Sequence, residues 1–346
     1  MNKTGTPSLQ DIATAAGVST ATVSRVLNSP GDVRAQLRER VEAQIIGLGY
    51  VRHGAARALA SSRSHTVGAV IPTLESAIFA TGVNAIENHL TRAGFTLLLA
   101  VTNYDLDHEF SQVQALIERG VDGMILVGQE HRPETIALLE RQRCPFVTTW
   151  TYAADAANPY IWPCIGFDNV QATRNITDHL LDLGHVKFAA IAGITTDNDR
   201  ARERIAGVTG ALQARGLTLP GTLLIEKPYD VGAGRDACRT LMSTDPKDRP
   251  TAIICGNDVL AIGAMLEARH LGFDVPGGVS IVGFDDLPLS EHLQPGLTTV
   301  HVPSRRMGEG AARYILDCIA GRESPSRIEL PTEIMIRGTT AAPRRS

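Results

Sequence analysis

The chain has 346 residues, 43% of them hydrophobic and 20% charged, with a formal net charge of −4. This fits a soluble globular protein with sizeable cores and about two to three domains' worth of chain. The start, MNKTGTPSLQ, lacks the apolar core of a signal peptide, and no run approaches the roughly 18 apolar residues of a membrane helix, so a cytoplasmic protein without membrane attachment is expected. Cys144, Cys164, Cys238, Cys255 and Cys318 form no C-x-x-C and have no nearby histidine partner, which argues against a metal site and a disulfide framework.

Charge is unevenly spread. Residues 1–66 hold eight basic side chains against four acidic ones, so they carry +4 and the other 280 residues carry −8. A basic head on an acidic body is the asymmetry expected when only the head meets phosphates.

Ser8-Leu-Gln-Asp11 fits a capping box with Asp11 in place of the usual glutamate, and predicts a helix start. Leu9, Ile12, Ala13 and Ala16 come next on one helical face, and Gly17 ends the helix in a short turn. Ser19 caps a second helix, Thr20 to Leu27, with Val23, Val26 and Leu27 on one side. Its other side carries Thr20, Ala21, Ser24 and Arg25. Three of these are small enough to sit deep in a major groove, where one arginine grips guanine O6 and N7 with two hydrogen bonds. A third helix, near Ala35 to Leu48, repeats Leu37, Val41, Ile45 and Leu48 before Gly49. The pattern is that of a helix-turn-helix; the competing reading is a small bundle packed on the body, with Arg25 merely solvated.

From His65 onward, apolar runs alternate with helical patterns. Strands are expected at 66–72, 95–101, 123–128, 145–149, 187–193, 222–226, 252–256 and 280–284, with helices including 108–119, 171–183, 201–215 and 257–271. Alternation of this kind means parallel sheets covered on both faces, here as two doubly wound subdomains around 66–163 and 164–290. Ligands of such sheets bind beyond the carboxyl ends of the strands. Asn257 and Asp258 follow one strand, Asp285 and Asp286 another, and Arg200, Arg202 and Arg204 come shortly after a third. Trp150 and Tyr229 fall at strand ends where an aromatic face covers a ring or chain. The plainer alternatives are that Asp258 caps the next helix, Asp286 anchors a turn, and one arginine pairs with Glu203 or a neighbour.

The stretches "LQDIATAAGVSTATVSRVLN" and "GYVRHGAARALASSRSHTVGAVIP" together resemble the amino-terminal region of the LacI/GalR family of bacterial transcription regulators. The hallmarks D-[IV]-A-x-x-A-G-V-S-x-x-T-V-S-R-V-L-N are present in order, and the order of features continues across the whole chain. The resemblance implies that Thr20, Ala21 and Arg25 read bases, while Ser19, Thr22, Ser24 and Asn28 hold phosphates. It implies a helix-turn-helix domain at 1–50 and a hinge at 51–65. In that hinge Ala56, Arg57 and Leu59 meet the minor groove, Leu59 as the wedge in the central base step. The family usually carries Pro-Asn where this chain has Arg52-His53, so the fixed proline geometry is absent. A plain flexible linker is the alternative.

For residues 66–346 the resemblance implies a periplasmic-binding-protein-like body that binds effector and dimerises. Its lobes are expected at about 66–163 with 291–323, and 164–290 with 324–346. The chain would cross between them near 163, 290 and 323, with the helix around 304–320 returning to the first lobe. Matched position by position, Arg204, Asn257, Asp285, Ile78 and Phe79 face the effector. "IGFDNVQATRNITDHLLDLGH" resembles the gluconate-type subgroup, which points toward a sugar acid among sugars.

No dinucleotide fingerprint, P-loop, zincin or nucleophile-elbow motif is present, and His89, His108, His185 and His292 have no metal spacing, so no cofactor, metal or catalytic residue is expected. "RGTTAAPRRS" carries no leucine heptad, which favours a homodimer over a tetramer. The expected function is a DNA-binding repressor that recognises a palindromic operator under allosteric control by a sugar or sugar acid. A sugar-binding transport protein would suit the body alone, but not the basic head. A sugar-modifying enzyme would need a nucleophile or acid–base pair that does not stand out.

Overall fold

A computed structural model describes residues 6–51, 63–152 and 162–344, and the chain divides into two units, one ending at Ser64 and the other starting at His65. Each unit is built from its own local signals.

In the first unit, α1 (Leu9–Ala16) starts with the expected reciprocal cap: the Ser8 N–H donates to Asp11 Oδ2 at 2.8 Å and the Asp11 N–H donates to Ser8 Oγ at 3.3 Å. Gly17 closes it in the left-handed region, at φ 64°, where a side chain would be strained. Ser19 caps α2 (Thr20–Asn28) by accepting from the Thr22 N–H, and α3 (Ala35–Leu48) ends at Gly49. Ile12, Val23 and Val41 have no exposed surface, and Ala13, Ala16 and Val26 complete this core. Leu48, expected in the apolar stripe of the third helix, is exposed instead.

The second unit holds β1 (Thr66–Ile71), β2 (Thr96–Val101), β3 (Gly123–Val127), β4 (Phe146–Thr149), β5 (Cys164–Gly166), β6 (Phe188–Gly193), β7 (Leu224–Lys227), β8 (Ala252–Cys255), β9 (Ser280–Val282), β10 (Thr299–His301), β11 (Arg327–Glu329) and β12 (Glu333–Met335). Its helices are α4 (Ala77–Arg92), α5 (Leu106–Glu118), α6 (Pro133–Arg141), α7 (Asn169–Asp182), α8 (Asp199–Ala214), α9 (Val231–Met242), α10 (Asp258–His270) and α11 (Ser304–Ile319). One parallel sheet runs β11-β5-β4-β3-β1-β2 and a second runs β7-β6-β8-β9; β10 and β12 form an antiparallel pair. Val67, Ile125 and Val147 are buried on one side of the first sheet, and Val70, Met124 and Leu126 on the other, so its pattern is continuous rather than alternating.

The two lobes exchange chain later than the sequence suggests. β5 pairs with β4 and β11 with β5, so Cys164–Gly166 and Arg327–Glu329 belong to the first sheet and the expected boundaries at 163 and 323 move outward. The boundary expected near 290 also moves, to between His301 and Ser304, since Val282 bridges Thr298 and Asp285 bridges His301 before α11 packs on α4 and β4. Three-residue strands leave too little pattern to read beforehand. The tail is tied back to the second sheet, with His185 Nε2 at 2.9 Å from the Ala341 carbonyl oxygen. Among the described residues no helix is long and apolar enough to cross a membrane.

Candidate functional site

Two surfaces carry the expected site residues. On the first unit, α2 buries Val23 and Val26 and turns Thr20, Ala21 and Arg25 to solvent. Arg25 forms no ion pair among the described residues, so its guanidinium is free to meet another molecule. Ser19 Oγ lies 2.9 Å from Thr22 Oγ1, and the Asn28 amide donates to Ser24 Oγ at 3.1 Å. The four residues expected at phosphates therefore bond in pairs along the helix and also hold its first and last turns. Ala56, Arg57 and Leu59, with Arg52 and His53, lie outside the described residues.

On the second unit, all seven expected effector residues line one small chamber between the two sheets. Ile78 and Phe79 stand on the first turn of α4, and the Phe79 ring lies 5.0 Å from that of Trp150. Trp150 comes just after β4 with φ 59° and is 2% exposed. Its indole Nε1 is buried without a hydrogen-bond partner among the described residues. Gly82 makes room for this ring, since a Cβ there would stand 2.8 Å from its Cζ2. Tyr229, after β7, rests its phenol tip on Gly193.

From the second lobe, Arg204 of α8 is held from three sides. Its Nε donates to Asn169 Oδ1 at 3.0 Å, its Nη1 to the Gly256 carbonyl at 2.6 Å, and its guanidinium lies 3.9 Å over the Phe284 ring. Asn169 in turn donates to the Trp150 carbonyl at 3.1 Å, linking the arginine to the first lobe. Arg204 Nη2 stands 4.0 Å from Asp285 Oδ1. Burial pushes the Asp285 carboxyl up to about 7; Arg204 pulls it down and Asp258 pushes it further up, and burial wins. Asp285 also sits at φ 115°, and Tyr104, after β2, at φ 62°. Left-handed backbone at non-glycine residues is uncommon and concentrates at functional sites.

Of the plainer alternatives for the neighbours of these residues, the cap by Asp258 fails, while the turn anchor at Asp286 and an arginine paired with a neighbour hold. Asn257, not Asp258, caps α10, its Oδ1 accepting from the Leu260 N–H at 2.9 Å. Asp258 is fully buried and accepts from the Leu287 N–H, Ser290 Oγ and Thr299 Oγ1, which fastens the β9–β10 connection. Those three bonds lower its carboxyl, yet burial lifts it to about 6. Asp286 does anchor a turn, pairing with Arg337 at 2.7 Å and His301 at 2.9 Å. Arg200 pairs with Asp199 at 3.0 Å, and Arg202 with Glu130 across the cleft, neither with Glu203. Burial pushes the Glu203 carboxyl up to about 7.

Sequence reading passed over Tyr104, Ser76 and Asn198, which line the same chamber. Tyr104 was findable: it comes after "TLLLAVTN", beyond the carboxyl end of a strand. Ser76 and Asn198 carry the same mark less closely, five residues beyond the ends of β1 and β6.

Comparisons with known proteins bear on both surfaces. Residues 8–53 match the family described as bacterial regulatory proteins, lacI family, and residues 177–340 match a periplasmic binding protein-like domain. The HTH-type transcriptional regulator MalR of Streptomyces coelicolor is 36% identical over 347 residues, covering 97% of each chain. A transcriptional regulator of the LacI family from Silicibacter pomeroyi superposes with a TM-score of 0.86 at 27% identity, over 96% of this chain and 99% of the other. The lac repressor dimer bound to operator and the anti-inducer ONPF gives a TM-score of 0.85 at 27% identity, over 98% of this chain and 100% of the other.

Proposed function

Because the chain belongs to the lacI family of bacterial regulatory proteins and is a transcriptional regulator of the helix-turn-helix type, we propose that it binds a palindromic operator as a homodimer and releases or grips it according to a small sugar-like effector held between its lobes. The observation that carries the DNA reading is the outward face of α2: two small residues and one arginine without an ion pair among the described residues, on a helix whose other side is locked in a core. The head is residues 1–50, with Thr20, Ala21 and Arg25 at base edges and Ser19, Thr22, Ser24 and Asn28 at phosphates. The hinge is 51–65, with Ala56, Arg57 and Leu59 in the minor groove. The basic head supplies local attraction, while the acidic body keeps the rest of the surface off DNA, so binding falls steeply with salt.

The effector reading rests on the chamber lined by Ile78, Phe79, Trp150, Arg204, Tyr229, Asn257 and Asp285. A buried carboxylate and an arginine fork suit vicinal hydroxyls, and the aromatic faces suit the apolar face of a sugar ring. The transport-protein and enzyme readings, which the body alone allowed, give way to membership of a family of DNA-binding regulators. Selection of binding sites from random duplex DNA by the purified protein tests the proposal. A palindromic consensus whose half-site preference is lost in Arg25→Ala supports it; enrichment of no sequence by the wild-type protein refutes it.

A further inference from the structure

The cleft has two compartments. The inner chamber has a cavity of about 30 Å3, room for about two waters. It opens on a vestibule of about 540 Å3, within the roughly 300–1,000 Å3 of sites that enclose drug-sized ligands. Ser76, Tyr104, Asn198, Tyr229 and Asn257 line both, so the two adjoin. At their junction the rings of Tyr104 and Tyr229 face each other from opposite lobes with centroids 6.0 Å apart.

The arginines of the cleft have carboxylate neighbours before any ligand arrives. Arg200 pairs with Asp199, Arg202 with Glu130, and Arg204 stands beside Asp285. The vestibule lining adds the carboxylates of Glu75 and Asp230 and, among the described residues, neither lysine nor arginine. An anion entering here would leave water without gaining an uncommitted cation. What remains on offer is a set of neutral or accepting groups: the amide of Asn103, the hydroxyls of Ser76 and Thr196, and two aromatic faces. The buried Trp150 Nε1–H has no acceptor among the described residues.

We infer that the effector is an uncharged oligosaccharide of two or more linked rings, its body in the vestibule against Tyr104 and Tyr229 and one hydroxyl-bearing end in the inner chamber at Asp285 and Arg204. The inference rests on reading the cleft as the effector site. It departs from the sugar acid to which the opening of the second lobe pointed.

The test is calorimetric titration of the full-length protein. The panel holds glucose and galactose, the α- and β-linked di- and trisaccharides built from them, and gluconate and galacturonate. One neutral di- or trisaccharide is expected to bind at least tenfold more tightly than its own monosaccharides and than either sugar acid. Val259 lines only the vestibule, so Val259→Trp is expected to weaken that ligand at least tenfold while Val259→Ala keeps it. A monosaccharide or sugar acid binding as tightly, or no member of the panel binding, overturns the inference. If such a tighter monosaccharide or sugar acid is lost in Asp285→Asn, the cleft reading survives and only the oligosaccharide inference fails. If the tightest ligand is indifferent to Asp285→Asn, the cleft reading itself has failed.

Discussion

Asp199, the first residue of α8, accepts a hydrogen bond from the backbone N–H of Gln129 at 2.6 Å, joining the second lobe to the loop after β3 in the first. The same carboxylate holds Arg200, and Gly128, at φ 91°, leaves the space that both side chains fill. The two lobes are thus fastened at the rim of the chamber by a charged acceptor on a backbone donor, a contact worth about 1.5–3 kcal/mol.

If effector binds with the lobes drawn together, removing this fastening costs affinity. Asp199→Ala is expected to weaken effector binding by about tenfold, the equivalent of about 1.4 kcal/mol, with Asp199→Asn intermediate because it keeps an acceptor. Calorimetric titration of the three proteins checks the order; equal affinities would mean the contact is incidental.

Asp285 gives a pH signature with two opposite signs. Its carboxyl titrates at about 7 in the fold, against 3.8 as its ordinary value. The unfolded chain therefore ionises first, and this group's penalty on stability is absent below about 4 and grows as pH rises to about 7. Effector hydroxyls need the ionised carboxylate as acceptor, so affinity rises over the approach to pH 7 while stability falls. Asp285→Asn is expected to flatten the stability curve in thermal melts and to leave no pH-dependent binding in titrations between pH 5.5 and 8.

Gly82→Ala tests the seat of Trp150. The added methyl meets a rigid ring rather than a flexible chain end, so the indole must shift. A loss of about 1–3 kcal/mol in stability is expected, as for other overpacked sites, together with weaker effector binding and a displaced tryptophan emission maximum. An unchanged emission spectrum would show that the helix, not the ring, gives way.

Asp258→Ala leaves the Leu287 N–H, Ser290 Oγ and Thr299 Oγ1 without their shared acceptor. Each unsatisfied buried donor costs about 1–3 kcal/mol, less where water enters, so a total near 3 kcal/mol is expected in denaturant unfolding. A loss under 1 kcal/mol would contradict the fastening role given to this residue.

The head was legible because its signals are local. Ser8 with Asp11, Gly17 at a helix end and Ser19 before a helix each act within four residues, and the buried set Ile12, Val23 and Val26 emerges from periodicity alone. In the body, Trp150, Tyr229 and Asp285 were legible because strand ends face the cleft of an open sheet. The division of labour between Asn257 and Asp258 was not, since either side chain can cap a helix and only the distant Ser290 and Thr299 decide which is drawn inward. β5 and β11 were hidden for a similar reason: each has three residues, and pairing across 163 positions of sequence, as between Cys164 and Arg327, leaves no local trace. Of the pairings of Arg200, Arg202 and Arg204 with carboxylates, on which the effector's charge turns, only that of Arg202 with Glu130 spans the lobes; Asp199 adjoins Arg200 in sequence, and Asp285 shares the second lobe with Arg204.

The central claim is that occupancy of the cleft sets affinity for DNA. The most direct measurement is fluorescence anisotropy of the selected operator, titrated with the full-length protein with and without the tightest cleft ligand, for the wild type and Asp285→Asn. Coupling energies of this kind are about 1–3 kcal/mol, so operator affinity in the wild type is expected to change at least fivefold. Asp285→Asn is expected to bind operator and ignore the ligand. Operator affinity that stays constant while the ligand fills the cleft of the wild-type protein would contradict the claim.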